Sequence, residues 1–125
     1  MEEKNLSECE ELILRTIWKN KEPLTMQEIT EKVNQQYKRN WQAKTVSVFL
    51  HRIVQKGYLT AERKGRTFYY HPLVAEEVYR QQVISKCVDL WSDGRIDAFV
   101  AAFAKGRPLT EEEKERIRSM IDAMV

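Results

Sequence analysis

The sequence predicts a mainly α-helical chain with a small β-wing. An N-terminal winged helix-turn-helix occupies residues 1–72, and a helical region follows over residues 73–125. Three observations carry this assignment. Val46, Phe49, Leu50 and Ile53 recur at i, i+3, i+4 and i+7, forming one apolar helical stripe that ends at Gly57. Two strand-like runs, 58–63 and 67–71, flank the basic turn Lys64-Gly65-Arg66. After Pro72 helical periodicity returns. An all-helical bundle does not account for Thr67, Phe68, Tyr69 and Tyr70, which favour strands.

The first helix should start at Ser7, where Ser7 and Glu10 have the spacing of a capping box. Leu12, Ile13, Thr16 and Ile17 then face inward, and Asn20-Lys21-Glu22-Pro23 ends the segment. The second helix repeats the signal with Thr25 and Glu28, and Ile29, Val33 and Tyr37 give its inner face. Leu24, just before that cap, is placed to pair briefly with the hairpin. Trp41 and Gln42 precede the third helix. In the hairpin Gly65 permits the positive φ of a tight turn, and Pro72 marks the boundary because it cannot extend a ladder.

Beyond Pro72 the sequence predicts a helix from Leu73 to about Trp91, carrying Val74, Val78, Val83, Ile84, Cys87, Val88 and Trp91. Ser92-Asp93-Gly94 breaks it. A short helix follows with Ile96, Phe99, Val100 and Phe103 on one stripe, and Lys105-Gly106-Arg107-Pro108 breaks the chain again. Thr110 and Glu113 form a third capping box, and Ile117, Met120, Ile121 and Met124 stripe the last helix. Three helices of this size cannot bury so much apolar surface alone. They either fold back on the winged helix or pack against a second copy. A helical stalk behind a small DNA-binding domain usually dimerises, because two-fold protein symmetry matches palindromic DNA. The expected dimer residues are Val88, Trp91, Ile96, Phe99, Val100, Phe103, Ile117, Met120, Ile121 and Met124. The methionines read as core stripe rather than as a ligand box.

With 125 residues the chain suits one modest core with an appendage. Its net charge of +2 conceals a strong asymmetry. Residues 1–36 hold 5 Lys/Arg against 8 Asp/Glu, a balance of −3. Residues 37–72 hold 8 cations (Lys38, Arg39, Lys44, Arg52, Lys56, Arg63, Lys64, Arg66) against Glu62 alone, a balance of +7. Residues 73–125 hold 8 against 10, a balance of −2. A basic block in a nearly neutral chain is the footprint of a polyanion site, with a merely solvated charged face as the alternative.

No enzyme is expected. His51 and His71 lack partners at ligand or triad spacing, Ser7 is a helix cap, and no phosphate loop occurs. Cys9 and Cys87 form neither a zinc motif nor a disulfide framework. No metal or cofactor is expected. The acidic, polar start is no signal peptide and no apolar run spans a membrane, so the expected location is the cytoplasm, without membrane insertion.

Double-stranded DNA is the expected partner. Lys44 can donate to guanine O6/N7, Thr45 and Ser47 can bond base edges or phosphates, and Val48 can meet a thymine methyl. Arg52 sits a turn or two later, where phosphate contact is expected. Lys64 and Arg66 should touch flanking backbone or minor groove. Trp41 has two readings, a core anchor at the helix entry or an indole N–H on phosphate; Tyr37 reads as core. A winged helix used for protein interaction is the rival, but it does not call for a +7 segment.

Six segments carry a resemblance. They are Leu6-Ser7-Glu8-Cys9-Glu10, Pro23-Leu24-Thr25, Trp41-Gln42-Ala43-Lys44-Thr45-Val46, Lys56-Gly57-Tyr58-Leu59, Gly65-Arg66-Thr67-Phe68-Tyr69-Tyr70 and Leu109-Thr110-Glu111-Glu112-Glu113. In this order they resemble the pattern of the penicillinase-repressor family (BlaI/MecI/CopY) from about Leu6 onward. The resemblance implies a homodimeric bacterial repressor on an inverted-repeat operator, in one branch controlling β-lactam resistance genes. There a membrane sensor-protease pathway relieves repression by cutting an Asn-Phe bond in the dimerisation region. The matching position here is Ala102-Phe103, which keeps the Phe and replaces the Asn. A small ligand bound between the C-terminal helices is the alternative signal. The Cys-rich end of the copper-responsive branch has no counterpart in Met120-Ile121-Asp122-Ala123-Met124-Val125.

Overall fold

A computed structural model describes residues 5–124. The elements in order are α1 (Glu8–Trp18), β1 (Leu24–Thr25), α2 (Met26–Tyr37), α3 (Ala43–Gln55), β2 (Leu59–Lys64) and β3 (Thr67–Pro72). Then come α4 (Glu76–Ser92), α5 (Ile96–Gly106) and α6 (Glu111–Ala123).

Local chemistry sets three of the helix starts. Ser7 Oγ accepts the Glu10 N–H at 3.2 Å while Glu10 Oε1 accepts the Ser7 N–H at 2.8 Å. The same reciprocal pair joins Thr25 to Glu28 and Thr110 to Glu113. Each box satisfies two N–H groups that the helix itself leaves unpaired. In Glu28 and Glu113 the bonded backbone N–H holds the carboxyl below its ordinary range. By contrast α3 begins at Gln42 with no side-chain cap.

β3 is the centre of a three-stranded antiparallel sheet in the order β1-β3-β2. Leu24 stands opposite Tyr70 and Thr25 opposite Tyr69, so the two residues before α2 do pair with the hairpin. Lys64 pairs with Thr67, leaving Gly65 and Arg66 as the turn. Gly65 has φ +65° and Arg66 does not have positive φ, the arrangement of a two-residue II′ hairpin.

The core lies between α1, α2, α3 and the sheet. Ile13, Leu14, Ile17, Leu24, Ile29, Val33, Val46, Leu50, Ile53, Tyr58 and Leu59 form it. Each fully buried aliphatic side chain there contributes about 1.5–3 kcal/mol relative to exposure. Glu10 and Thr16 are buried with them.

The chain divides into two compact units, the first reaching Tyr79 and the second starting at Arg80. That division lies beyond the boundary expected after Pro72, and the fourth helix starts at Glu76 rather than Leu73. Residues 73–79 are fastened to the first unit. Trp18 Nε1 donates to the Val74 carbonyl at 2.9 Å, and the Tyr79 hydroxyl donates to Glu11 Oε2 at 2.7 Å. The Tyr79 ring lies 5.7 Å from Trp18 and meets Tyr58 edge-on at 5.5 Å. Burial, with the Glu11 carboxylate beside it, pushes the Tyr79 hydroxyl well above the ordinary phenol range.

In the second unit, α4 ends where Asp93 and Gly94 take left-handed φ values of 49° and 77°. The Gly94 N–H returns to the Val88 carbonyl at 3.2 Å. Val88 and Ser92 are the buried residues of α4, while α5 and α6 contain none among the described residues. The stripes read from sequence are therefore not a closed core in a single chain. Trp91 is 78% exposed, and Ile96, Val100, Phe103, Met120, Ile121 and Met124 are exposed as well.

Candidate nucleic-acid interface

The helical repeat of α3 separates its residues into two faces. Val46, Leu50 and Ile53 are fully buried, whereas Lys44, Thr45, Ser47 and Arg52 are exposed. Val48 shares that outer face at 46% exposure. The first turn of α3 contains no acidic residue, so nothing there offsets the partial positive charge of the helix start.

Entry to α3 is fixed by Asn34 and Trp41. The Asn34 side chain accepts the Trp41 N–H at 2.9 Å and donates to the Trp41 carbonyl at 2.8 Å. The Trp41 ring is half-buried, 5.3 Å from Phe49, with the Arg39 guanidinium 6.0 Å from its centre. Trp41 thus packs against the core at the base of α3. Just before it, Lys38 closes α2 in the left-handed region at φ 54°, which costs a non-glycine residue roughly 1 kcal/mol. Tyr37 is half-buried, with Arg15 over its ring at 5.8 Å and its hydroxyl without a hydrogen-bond partner.

The exit from α3 holds an ion pair that sequence reading missed. Lys56, the C-cap of α3, places Nζ 2.6 Å from Glu10 Oε1 and 2.9 Å from the Asn5 carbonyl. Burial raises the Glu10 carboxyl, but bonds from Lys56 and Ser7 outweigh it and the net shift is downward. Lys56 is therefore committed to the scaffold, although it counts toward the basic segment. Its separation of 46 residues from Glu10 leaves no local signal.

On the hairpin, the Arg63 guanidinium lies 5.9 Å from the Phe68 ring and its Nε donates to the Gly65 carbonyl at 2.8 Å. Lys64 Nζ is 5.7 Å from the Tyr69 ring. Glu62, the segment's one acid, has a carboxylate oxygen 2.9 Å from His71 Nε2. Lys44, Arg52 and Arg66 have no carboxylate partner among the described residues. Unneutralised cations thus occupy the outer face of α3 and the tip of the hairpin.

The penicillinase-repressor family model matches residues 6–123. The chain belongs to the penicillinase-repressor family. Its members are DNA-binding transcription regulators built on a winged helix-turn-helix. A penicillinase repressor of Bacillus licheniformis is 25% identical over 117 residues, covering 94% of this chain and 89% of the relative. Two solved structures are similar. One is the solution structure of the DNA-binding domain of the repressor BlaI (TM-score 0.52, 27% identity, 60% of this chain and 88% of that one). The other is the solution structure of the monomeric form of Bacillus licheniformis BlaI in complex with the blaP half-operator (TM-score 0.50, 26% identity, 61% and 89%).

Ala102 and Phe103, which the sequence resemblance matches to a cleaved bond, lie in the second unit. Both are exposed on α5, and the Arg107 guanidinium stands 5.2 Å from the Phe103 ring. Phe99, one turn before, is half-buried. Cys9 and Cys87 are free and half-buried, and no group of three or more His, Cys, Asp or Glu is placed to hold a metal among the described residues. No described helix is long and apolar enough to cross a membrane.

Proposed function

We propose that the protein is a homodimeric cytoplasmic repressor that occupies an inverted-repeat operator and holds resistance-type target genes silent. The observation that carries this reading is the acid-free, solvent-facing side of α3, continuous in sequence with a basic hairpin in a penicillinase-repressor chain. In operation α3 enters the major groove. Lys44 donates to a guanine edge, Thr45 and Ser47 bond base edges or phosphates, and Val48 lies against a thymine methyl. Arg52 and Lys64 neutralise phosphates, while Trp41 and Asn34 keep the start of α3 at one angle. The apolar surface of α4, α5 and α6 is covered by the same surface of a second copy, so two half-sites are held as one unit.

Band-shift stoichiometry tests this: two protomers should bind an inverted repeat cooperatively, and a duplex carrying one half-site should bind much more weakly. Equal affinity per protomer on both duplexes would remove the dimer from the account.

For induction, the reading is proteolysis at Ala102-Phe103, a bond exposed in a single chain but within the helix that the dimer would cover. Cutting needs local opening of α5, followed by loss of α6 from the dimer and release of the operator. Mass spectrometry of the repressor from induced cells should find a fragment ending at Ala102. Intact protein during full derepression would assign the signal to a small ligand instead.

A further inference from the structure

We propose that Arg66 reads the minor groove beside each half-site and gives the protein a preference for A·T-rich flanks. The proposal rests on the reading of α3 and the hairpin as the DNA interface, and it assigns to one residue a sequence preference outside the major groove.

The hairpin tip presents one side chain. Its two turn residues are Gly65 and Arg66, and Gly65 has none to offer. The neighbouring cations sit back from the tip, Arg63 bonded to the Gly65 carbonyl beside Phe68, and Lys64 5.7 Å from the Tyr69 ring, where it remains able to meet a phosphate. Arg66 is exposed and has no acidic partner among the described residues. Reach is sufficient. A strand of six residues spans about 20 Å, whereas the major groove is about 12 Å wide, so a hairpin directed across the groove is long enough to pass the bordering backbone.

The residue type matches the narrower groove. A guanidinium is more weakly hydrated than an ammonium and enters a confined site at lower desolvation cost. Stiff A·T tracts narrow the minor groove and deepen its negative potential. A G·C pair instead places the guanine N2 amino group in the path of the cation. Phe68, 48% exposed beside Arg63, offers an apolar flank to the deoxyribose chain.

The test uses the full-length protein and an inverted-repeat duplex selected from a randomised pool, with flanks rebuilt as A·T, G·C or inosine·C. Inosine·C keeps the major-groove pattern of G·C but lacks the minor-groove amino group. Wild type should bind A·T and inosine·C flanks alike and G·C flanks roughly tenfold more weakly, the scale of one unfavourable base pair. Arg66→Lys should bind the three duplexes alike and so lose the preference, whereas Lys64→Ala should weaken all three by the same factor and so keep it. Inosine·C behaving as G·C, or an Arg66→Lys variant with the wild-type preference, would overturn the assignment and leave Arg66 as a phosphate contact. A wild-type protein that selects no duplex from the pool would instead sink the DNA-binding reading itself, and this inference with it.

Discussion

Lys56→Met removes the cation from a carboxylate whose side chain is 1% exposed. In the native protein Glu10 receives a 2.6 Å bond from Lys56 and a 2.8 Å bond from the Ser7 N–H. After the substitution only the Ser7 bond faces the full desolvation cost. Breaking a buried pair from one side costs about 3–5 kcal/mol; with Lys56 25% exposed, we expect about 3. With a urea slope of about 1.5 kcal/mol per molar, the unfolding midpoint should fall by about 2 M at pH 7. The pH dependence gives a second constraint. In wild type the folded pKa of Glu10 is lowered from 4.5. Its stabilisation is therefore complete above that value and lost as pH falls through the lowered one. Without Lys56 only the Ser7 bonds oppose desolvation, so the folded pKa rises relative to wild type and the lost stabilisation grows as pH rises. The gap between variant and wild type should be widest near neutrality and shrink toward pH 3. Urea melts at fixed protein concentration across that range measure it. A midpoint shift below about 0.5 M, or a gap that ignores pH, would refute the buried-pair account.

Other outcomes follow from the same structure. Lys44→Ala should cost about 1–3 kcal/mol on the cognate duplex and relax one base position, whereas Lys64→Ala should lower the salt slope by about one unit on every sequence. Fluorescence titrations over several duplexes separate the two. Phe99→Ala removes a half-buried ring whose complete burial in a dimer is typically worth about 3–5 kcal/mol; sedimentation should show a shift toward monomer, with the winged helix still folded by circular dichroism. Tyr79→Phe removes the bond to Glu11 while keeping the aromatic packing, and should cost about 1–3 kcal/mol in the first unit, read from hydrogen-exchange protection of α1 and the start of α4.

Much of the fold was legible because its signals are local. Each capping box lies within four residues, the apolar spacing of α3 selects its buried face, and Gly65 with its β-prone neighbours sets the hairpin. Leu24 was legible too, since its place before the Thr25 cap leaves it beside the hairpin. The illegible parts depend on residues distant in sequence. Glu10 reads as a cap, yet it also neutralises Lys56. Pro72 reads as a boundary, yet Trp18 and Glu11 hold Val74 and Tyr79 and carry the first unit further. Lys38 adopts a left-handed cap without the glycine that would announce it. The stripes of α5 and α6 are periodic in the sequence, but periodicity does not say which surface covers them, and one chain leaves most of them exposed. On α3 the solvent-exposed face is predictable from the apolar spacing. The support beneath it from Asn34 and Lys56 is not.

Salt titration of DNA binding tests the central claim most directly. A labelled inverted-repeat duplex and a scrambled duplex of equal composition are titrated with protein from low to moderate salt. Specific binding through α3 and the hairpin should give a steep fall in affinity, a log–log slope of about −0.9 per phosphate neutralised. The inverted repeat should remain at least about 10³-fold tighter than the scrambled duplex at moderate salt. Equal binding of both duplexes there would show that the basic surface attracts DNA without reading it, and would contradict the account.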